Sequence, residues 1–184
     1  MAEDTLVAPQ TGELRMEEHA KEERYAEVLR RIRAVVEPEN DLLACLASTV
    51  CLLHHAFPYY FWTGFYRRVG PELLRVGPYQ GTLGCVDIPF GRGVCGTSAA
   101  RGETLIVDDV DTFPGHIACD SASRSEIVVP VYTGDRLIGV LDVDSTLKAA
   151  FDQVDRHWLE EIAALVGGKE TPPVVWREGL SDPA

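Results

Sequence analysis

The sequence has no apolar run that approaches the roughly 18 residues needed to span a membrane. Its first 24 residues are acidic, and they lack both the apolar core of a signal peptide and the basic character of a transit peptide. We therefore expect a cytoplasmic protein that does not enter a membrane.

Positive charge is also scarce. The 184 residues include 17 Lys and Arg against 29 Asp and Glu, which gives a formal net charge of −12. A nucleic-acid partner would require a basic stripe, and an anionic membrane surface would repel such a chain. Neither class of partner is expected.

The cysteines lack the CxxC or Cys/His spacing of a zinc site, so no metal is expected. Five is an odd number in a reducing compartment, which favours thiol chemistry or burial over a structural disulfide framework. No cofactor is expected either, because the glycines at 91, 93 and 96 lack the buried strand and following acid of a dinucleotide site. The cysteines are Cys45, Cys51, Cys85, Cys95 and Cys119.

The length suits one domain, which we place at residues 13–168, between tails at 1–12 and 169–184. Three helices are predicted within it from apolar residues at three- and four-residue steps. Pro38 ends the first helix, because proline cannot continue the hydrogen-bond ladder. The second is apolar nearly all round, which predicts burial. The predicted helices span 13–36, about 41–57 and 152–167, the last opened by a capping box of Asp152 and Asp155.

Between the second and third helices the chain alternates as strands do, with short turns. Gly134-Asp135 predicts a hairpin between the last two strands, and a short helix capped by Thr97 is predicted over 96–101. The predicted strands span 59–67, 73–79, 85–88, 104–107, 127–133 and 136–143. This order predicts an α+β fold: one central, mostly antiparallel sheet, with two N-terminal helices and one C-terminal helix on one face and an active-site loop face opposite.

Residues 113–131 are typical of a functional loop. Cys119 lies between an apolar pair and a polar run, and an apolar strand follows. Exposed polar loops anchored on a scaffold often carry binding and catalytic residues. Many cytosolic cysteines are instead small buried hydrophobes without chemistry, so this pattern leaves both roles open for Cys119.

Acidic residues recur close to this loop. Asp142 and Asp144 are two apart on a predicted strand, so both carboxylates face the same side. Desolvation and repulsion would raise one pKa and keep a proton available for general acid catalysis. Glu126 begins the partner strand and could join them, which brings Cys119 and three acids into one neighbourhood. A solvated strand end is the alternative for these acids.

A cluster of carboxylates opposes formation of a thiolate. Such a site therefore suits a reaction in which the substrate brings charge, or in which the attacked oxygen must be protonated.

Six motifs in this order resemble those of GAF-domain proteins, and more closely those of the free methionine-(R)-sulfoxide reductases. The resemblance runs from about residue 22 to 166, and the thiol and acid set separates it from generic GAF domains. The motifs are WTGFY (62–66), GPYQG (77–81), GRGVCG (91–96), GHIACD (115–120), SEIV (125–128) and GVLDVDS (139–145).

The resemblance implies an oxidoreductase in which Cys119 attacks the sulfur of free methionine-(R)-sulfoxide. Glu126, Asp142 and Asp144 would hold and protonate the sulfoxide oxygen. Cys119 becomes a sulfenic acid, and a second thiol then condenses with it to form a disulfide. That thiol would be Cys85, with Cys95 as the alternative, and thioredoxin would restore both thiols.

The resemblance also implies substrate contacts from two aromatic residues, and a homodimer. Trp62 and Tyr66 would contact the methyl and thioether part of the substrate, although ordinary core packing explains them equally well. The departures from the family pattern, Tyr79 and Gly84, touch none of the proposed acids or thiols.

The sequence leaves two other functions open. A GAF sensor for a small ligand such as a cyclic nucleotide gives no reason for three thiols beside acids, and an acidic pocket would repel a phosphate. A redox switch would form disulfides among Cys85, Cys95 and Cys119 without turnover of any substrate.

Overall fold

The computed structural model describes residues 15–117 and 119–169; the predicted tails at 1–12 and 169–184 lie outside these ranges except for Lys169. None of the helices in the described ranges is long and apolar enough to span a membrane. The helices are α1 (Glu18–Val36), α2 (Leu42–His54), α3 (Gly93–Arg101) and α4 (Gln153–Gly167), with a 3-10 turn at Val110–Thr112. The strands are β1 (Trp62–Gly70), β2 (Leu73–Gln80), β3 (Asp87–Pro89), β4 (Leu105–Val107), β5 (Ser125–Thr133) and β6 (Arg136–Ser145).

The six strands form one sheet in the order β3-β2-β1-β6-β5-β4, and every neighbouring pair is antiparallel. The central strand is β6, which pairs with β1 on one side and β5 on the other. Gly134 has a φ of 56°, which suits the predicted hairpin turn between β5 and β6. The predicted antiparallel sheet is confirmed.

Alternation along β6 separates two cores. Leu141 and Val143 point into the larger core, which α1, α2 and α4 cover. Val140 belongs to a second core on the opposite face, together with residues of α3. The predicted α+β arrangement, with three helices on one face, is therefore confirmed. The opposite face carries a helix as well as loops.

The short helix α3 begins three residues earlier than predicted. Arg92 precedes its first turn without a side-chain cap, and the Thr97 hydroxyl donates to the Gly93 carbonyl at 2.6 Å inside the helix. Gly96 therefore does not mark the start of this helix. A Cβ at this position would lie 2.2 Å from the Pro89 carbonyl oxygen, so the close approach of β3 requires glycine.

A buried ion pair connects the first and last helices. Lys21 is buried, and its Nζ lies 2.6 Å from Asp155 Oδ2 and 2.8 Å from Asp152 Oδ2. The hydroxyls of Tyr25 and Tyr59 donate to Asp155 Oδ1 at 2.8 and 2.6 Å. Asp155 also completes the predicted capping box with Asp152.

This network explains why β1 starts later than predicted. The sequence predicts that Tyr59 and Tyr60 belong to the strand, because aromatic residues favour a pleated surface. Both rings instead pack in the larger core, where Tyr60 stacks on Phe57, Tyr59 meets Phe57 edge-on, and the Tyr60 hydroxyl hydrogen-bonds the Tyr25 hydroxyl. The strand begins at Trp62, once the chain has left this cluster.

We expect Lys21→Met to lower the free energy of unfolding by about 3–5 kcal/mol, because it leaves Asp155 buried without its cation. Urea unfolding followed by circular dichroism measures the change. Arg156→Met is the matched control: it removes an exposed pair with Glu160 and should cost less than about 1 kcal/mol. Equal effects of the two substitutions would contradict a structural role for the buried pair.

Candidate active site

A small cavity opens on the α3 side of the sheet. It lies between the neighbouring ends of β1, β5 and β6, the start of α3 and the loop that carries Cys119. Seven of the eight site residues predicted from the sequence line it, and the eighth, Cys85, is bonded to Cys119. The seven are Trp62, Tyr66, Cys95, Cys119, Glu126, Asp142 and Asp144.

Strand register brings the three carboxylates together. Asp144 pairs with Glu126 on β5 and with Trp62 on β1, so these side chains form one row across the sheet. Asp142, two residues earlier in β6, projects from the same face. Glu126 and Asp142 are buried and Asp144 is half-buried. The acids do not lie at a solvated strand end.

Burial and mutual repulsion keep protons on these acids near neutral pH. Desolvation raises the pKa of Asp142 to about 7. Burial, followed by the charges of Asp142 and Asp144, raises the pKa of Glu126 well above its usual value. Burial and the Asp142 charge also raise the pKa of Asp144, against a hydrogen bond donated by Ser123. In the described part of the chain, no Lys, Arg or His forms an ion pair with these three acids, so the cluster lacks an internal counterion.

Cys95 contributes a neutral thiol to this cluster. Its Sγ lies 3.7 Å from Glu126 Oε1 and donates a hydrogen bond to it. Burial, followed by the charges of Asp142 and Glu126, raises the pKa of the Cys95 thiol well above its usual value. Among the described residues, Asp142 Oδ1 has no hydrogen-bond partner although it is buried. This oxygen is available to a bound molecule.

Cys85 and Cys119 are joined by a disulfide, with their Cα atoms 5.3 Å apart. Cys119 lies on the exposed loop after α3 and β4, and Cys85 lies half-buried between β2 and β3. Cys45 and Cys51 are free thiols on α2; Cys45 is buried, but Cys51 is exposed, although the sequence predicts a helix that is buried nearly all round. Because Cys51 and Cys45 lie about 240° apart around the helix, only one of them can face the core.

Two aromatic rings line the cavity. Trp62 stacks with Tyr66 and with Tyr79, at centroid distances of 5.7 and 5.3 Å. The Trp62 indole N–H donates to the Thr82 carbonyl at 3.0 Å, which fixes the ring. A Cβ at Gly64 would lie 2.5 Å from the Trp62 ring, so the ring occupies the space left by this glycine. Both Trp62 and Tyr66 are buried, yet each presents part of its ring to the cavity.

Nine further residues line the cavity, and the sequence assigned none of them to the site; they include Gly84, His116, Asp120 and Ser123. Burial lowers the pKa of His116. The Ala122 N–H and then the Thr82 hydroxyl bind Asp120 and lower its pKa, so it is ionised. His116, Asp120 and Ser123 lie within a few residues of Cys119 in the sequence, and this proximity was a signal that could have placed them in the site. Gly84 carries none, because its contact with Trp62 and Tyr66 exists only in three dimensions.

One set of side chains in this cavity could hold a cation. The ligand atoms of Cys95, Glu126 and Asp142 all lie within 4.8 Å of one another. One thiol and two carboxylates are a donor set that divalent ions accept. The absence of a metal therefore stays a prediction from the sequence.

The cavity combines two cysteines that can form a disulfide, Cys85 and Cys119, with nearby acids that hold protons. A thiol can attack an electrophilic atom of a bound molecule, and the protonated acids can supply the protons that a departing oxygen needs. Asp142, whose pKa is about 7, also ionises near neutral pH, and its carboxylate favours a bound group with positive charge. The arrangement suits the two-electron reduction of a small oxygen-bearing molecule.

Comparison with known proteins gives one consistent family. The family model described as the GAF domain matches residues 22–168. Free methionine-R-sulfoxide reductase of Escherichia coli is 44% identical over 144 residues, which are 78% of this chain and 87% of that protein. The reductase of the same name from Saccharomyces cerevisiae is 39% identical, over 79% of this chain and 85% of that protein.

A solved structure shares both the sequence and the fold. It is the free methionine-R-sulfoxide reductase from Neisseria meningitidis in complex with its substrate, and it is 49% identical to this chain. The TM-score is 0.78, and the match covers 81% of this chain and 89% of the other.

The acid cluster predicts a specific pH dependence of stability. The raised pKa of Asp142 means that the folded state keeps a proton that the unfolded state has lost above about pH 4. Its contribution to stability is therefore full below about pH 4 and is lost as the pH rises through about 7. Asp142→Asn removes this term, so its stability relative to wild type should increase between pH 4.5 and 8, by on the order of a few kcal/mol.

Urea unfolding at both pH values measures this change. Asp87→Asn is the matched control: Asp87 is half-exposed, and its hydrogen bond to Arg75 lowers its pKa, so its effect on stability changes with pH only below about pH 4 and should stay constant between pH 4.5 and 8. Parallel pH curves for wild type and Asp142→Asn would contradict the proton-holding state of the cluster.

Proposed function

The chain belongs to the GAF-domain family of free methionine-(R)-sulfoxide reductases, and on this premise we propose that it reduces free L-methionine-(R)-sulfoxide to methionine. It is then an oxidoreductase that acts on a sulfur group and passes the oxidation to its own cysteines. The observation that carries the proposal is the meeting of Cys119 with three proton-holding acids in one cavity.

In the first step, the Cys119 thiolate attacks the sulfoxide sulfur. The S–O bond of the substrate breaks as the oxygen receives a proton from the cluster of Glu126, Asp142 and Asp144, and a bond between Cys119 Sγ and the substrate sulfur takes its place. The released hydroxide then attacks Cys119 Sγ, which breaks this S–S bond. Methionine leaves with its sulfur reduced by two electrons, and Cys119 is oxidised to a sulfenic acid. Protonated carboxylates suit this step, because an oxide is a poor leaving group unless it is protonated.

In the second step, a resolving thiol condenses with the sulfenic acid. The Cys85 sulfur attacks Cys119 Sγ, the S–O bond breaks, water leaves and a disulfide forms. The bond between Cys85 and Cys119 supports Cys85 over Cys95 for this role. The Cys95 thiol instead hydrogen-bonds Glu126, which suits positioning of that acid.

Specificity for the free amino acid follows from charge. Free methionine sulfoxide carries an ammonium group, whereas the same residue within a peptide does not. The pKa of Asp142 is raised only to about 7, so this acid ionises near neutral pH while Glu126 and Asp144 keep their protons, and its carboxylate favours a substrate that brings this cation. Trp62 and Tyr66 offer apolar faces to the methyl and thioether part, since sulfur packs well against aromatic rings.

Recycling needs a dithiol donor, and we propose thioredoxin. We also propose that the protein acts as a homodimer in the cytoplasm, as the family resemblance implies. A redox switch would use the same disulfide. Turnover that depends on methionine sulfoxide separates the two functions.

We expect turnover of only the free (R) epimer among free (R)-, free (S)- and peptide-bound methionine sulfoxide. Oxidation of NADPH in the presence of thioredoxin and thioredoxin reductase measures it. Cys119→Ser should reduce turnover by at least about 10³-fold, because the nucleophile is lost. A reduced, folded wild type that turns over none of the three sulfoxides would reject the reductase and leave the switch.

Cys85→Ser should still reduce about one equivalent of substrate per chain and then stop, because the sulfenic acid on Cys119 has no resolving thiol. Rapid-quench measurement of methionine and a sulfenic-acid probe detect the two products. Cys95→Ser is the control and should still form the Cys85–Cys119 disulfide. Sustained turnover by Cys85→Ser with thioredoxin, together with a stalled Cys95→Ser, would assign the resolving role to Cys95.

A further inference from the structure

Two apolar side chains stand out beside the disulfide. Among the large hydrophobic residues in 15–117 and 119–169, Leu83 and Val86 are the most exposed, at 81% and 64%. They flank Gly84 and Cys85 in the loop between β2 and β3. Scattered exposed apolar residues are ordinary, but two in one loop at a reactive bond form a patch that suits a partner.

The structure holds both ends of this loop. The Val76 N–H donates to the Val86 carbonyl at 2.9 Å, which ties the loop to β2. The Trp62 indole N–H donates to the Thr82 carbonyl at 3.0 Å. Gly84 lies against the Trp62 and Tyr66 rings. The two apolar side chains are therefore presented outward from a loop that is anchored on both sides.

We propose that Leu83 and Val86 form the docking surface for the protein that reduces the Cys85–Cys119 disulfide, a dithiol oxidoreductase of the thioredoxin class. This inference rests on the proposed function, because only a recycled disulfide needs such a partner. Val86 does not line the cavity, so its exposed side chain serves no contact with a substrate inside. Leu83 lies at both places, on the cavity wall and on the surface.

The chemistry requires contact at this patch. A thiolate of the partner attacks Cys119 Sγ, since Cys119 is the more exposed of the two bonded cysteines. The bond between Cys85 and Cys119 breaks, and Cys85 leaves as a thiolate and takes up a proton. The second thiol of the partner then attacks the partner's first sulfur, which is bonded to Cys119 in the mixed disulfide. This attack releases Cys119 as a thiol. Two electrons pass to this chain, and the partner becomes a disulfide.

Charge makes apolar contact the more important part of docking. The chain has a net charge of −12, and Asp120 beside Cys119 is ionised, so an acidic partner is repelled at long range. Two uncharged side chains next to Cys85 provide burial that does not depend on charge. A small dithiol can reduce the disulfide without burying these two side chains, whereas a protein reductant needs their burial to dock.

The test compares Val86→Ser with wild type in two assays of free methionine-(R)-sulfoxide reduction. One assay is driven by thioredoxin and the other by dithiothreitol. We expect kcat/KM for thioredoxin to fall about five- to tenfold, mainly through KM, because an exposed interface contact is lost. The dithiothreitol-driven rate should stay within about twofold. Val69→Ser is the matched control, since Val69 is 44% exposed on β1, away from the disulfide.

Three other outcomes would overturn the docking surface. An unchanged kcat/KM for thioredoxin in Val86→Ser removes the proposed contact. An equal fall in both assays assigns Val86 to the architecture of the cavity. A change of mass in light scattering with unchanged thioredoxin kinetics assigns the patch to contact with a second copy of this chain. Absence of turnover by wild type in both assays rejects the proposed function itself, which is a separate result.

Discussion

The architecture depends on the two-residue alternation of one central strand. Both edges of β6 are hydrogen-bonded to neighbouring strands, so its side chains can only point to one face of the sheet or the other. Leu141 and Val143 point into the dry helical core, and Asp142 and Asp144 therefore have to share the opposite face. A shift of register by one residue would bury both acids under the helices, so the core itself holds the site in place.

The molecule buries carboxylates in two contrasting ways. Asp155 lies in the larger core with Lys21 at 2.6 Å and two tyrosine hydroxyls, so its charge and hydrogen bonds are satisfied internally. Asp142 and Glu126 lie in the cavity with a thiol and with each other, and with no internal cation in the described chain. The first arrangement stabilises the fold. The second stores protons, at a cost in stability that increases with pH.

The two thiols serve the site because they come from separate loops. Cys119 follows a long excursion after β4, and Cys85 lies between β2 and β3, 34 residues earlier. Loops tolerate the movement that thiol–disulfide exchange needs, whereas the acids lie on strands that are hydrogen-bonded to a neighbouring strand on both sides. The division fits the proposed chemistry, in which protons are supplied from fixed positions and sulfur atoms change partners.

The sequence by itself determined the helices with clear periodicity, the capping box of Asp152 and Asp155, the hairpin between β5 and β6, and the shared face of Asp142 and Asp144, because each depends on neighbours a few residues apart. It also indicated that Cys119 and Glu126 would lie near these acids. The tertiary structure decided the start of α3, the departure of Tyr59 and Tyr60 from β1, the exposure of Cys51, and the choice of Cys85 as the thiol bonded to Cys119. These features depend on distant contacts, such as the Pro89 carbonyl against Gly96 and the Lys21–Asp155 pair, which have no local signature in the chain.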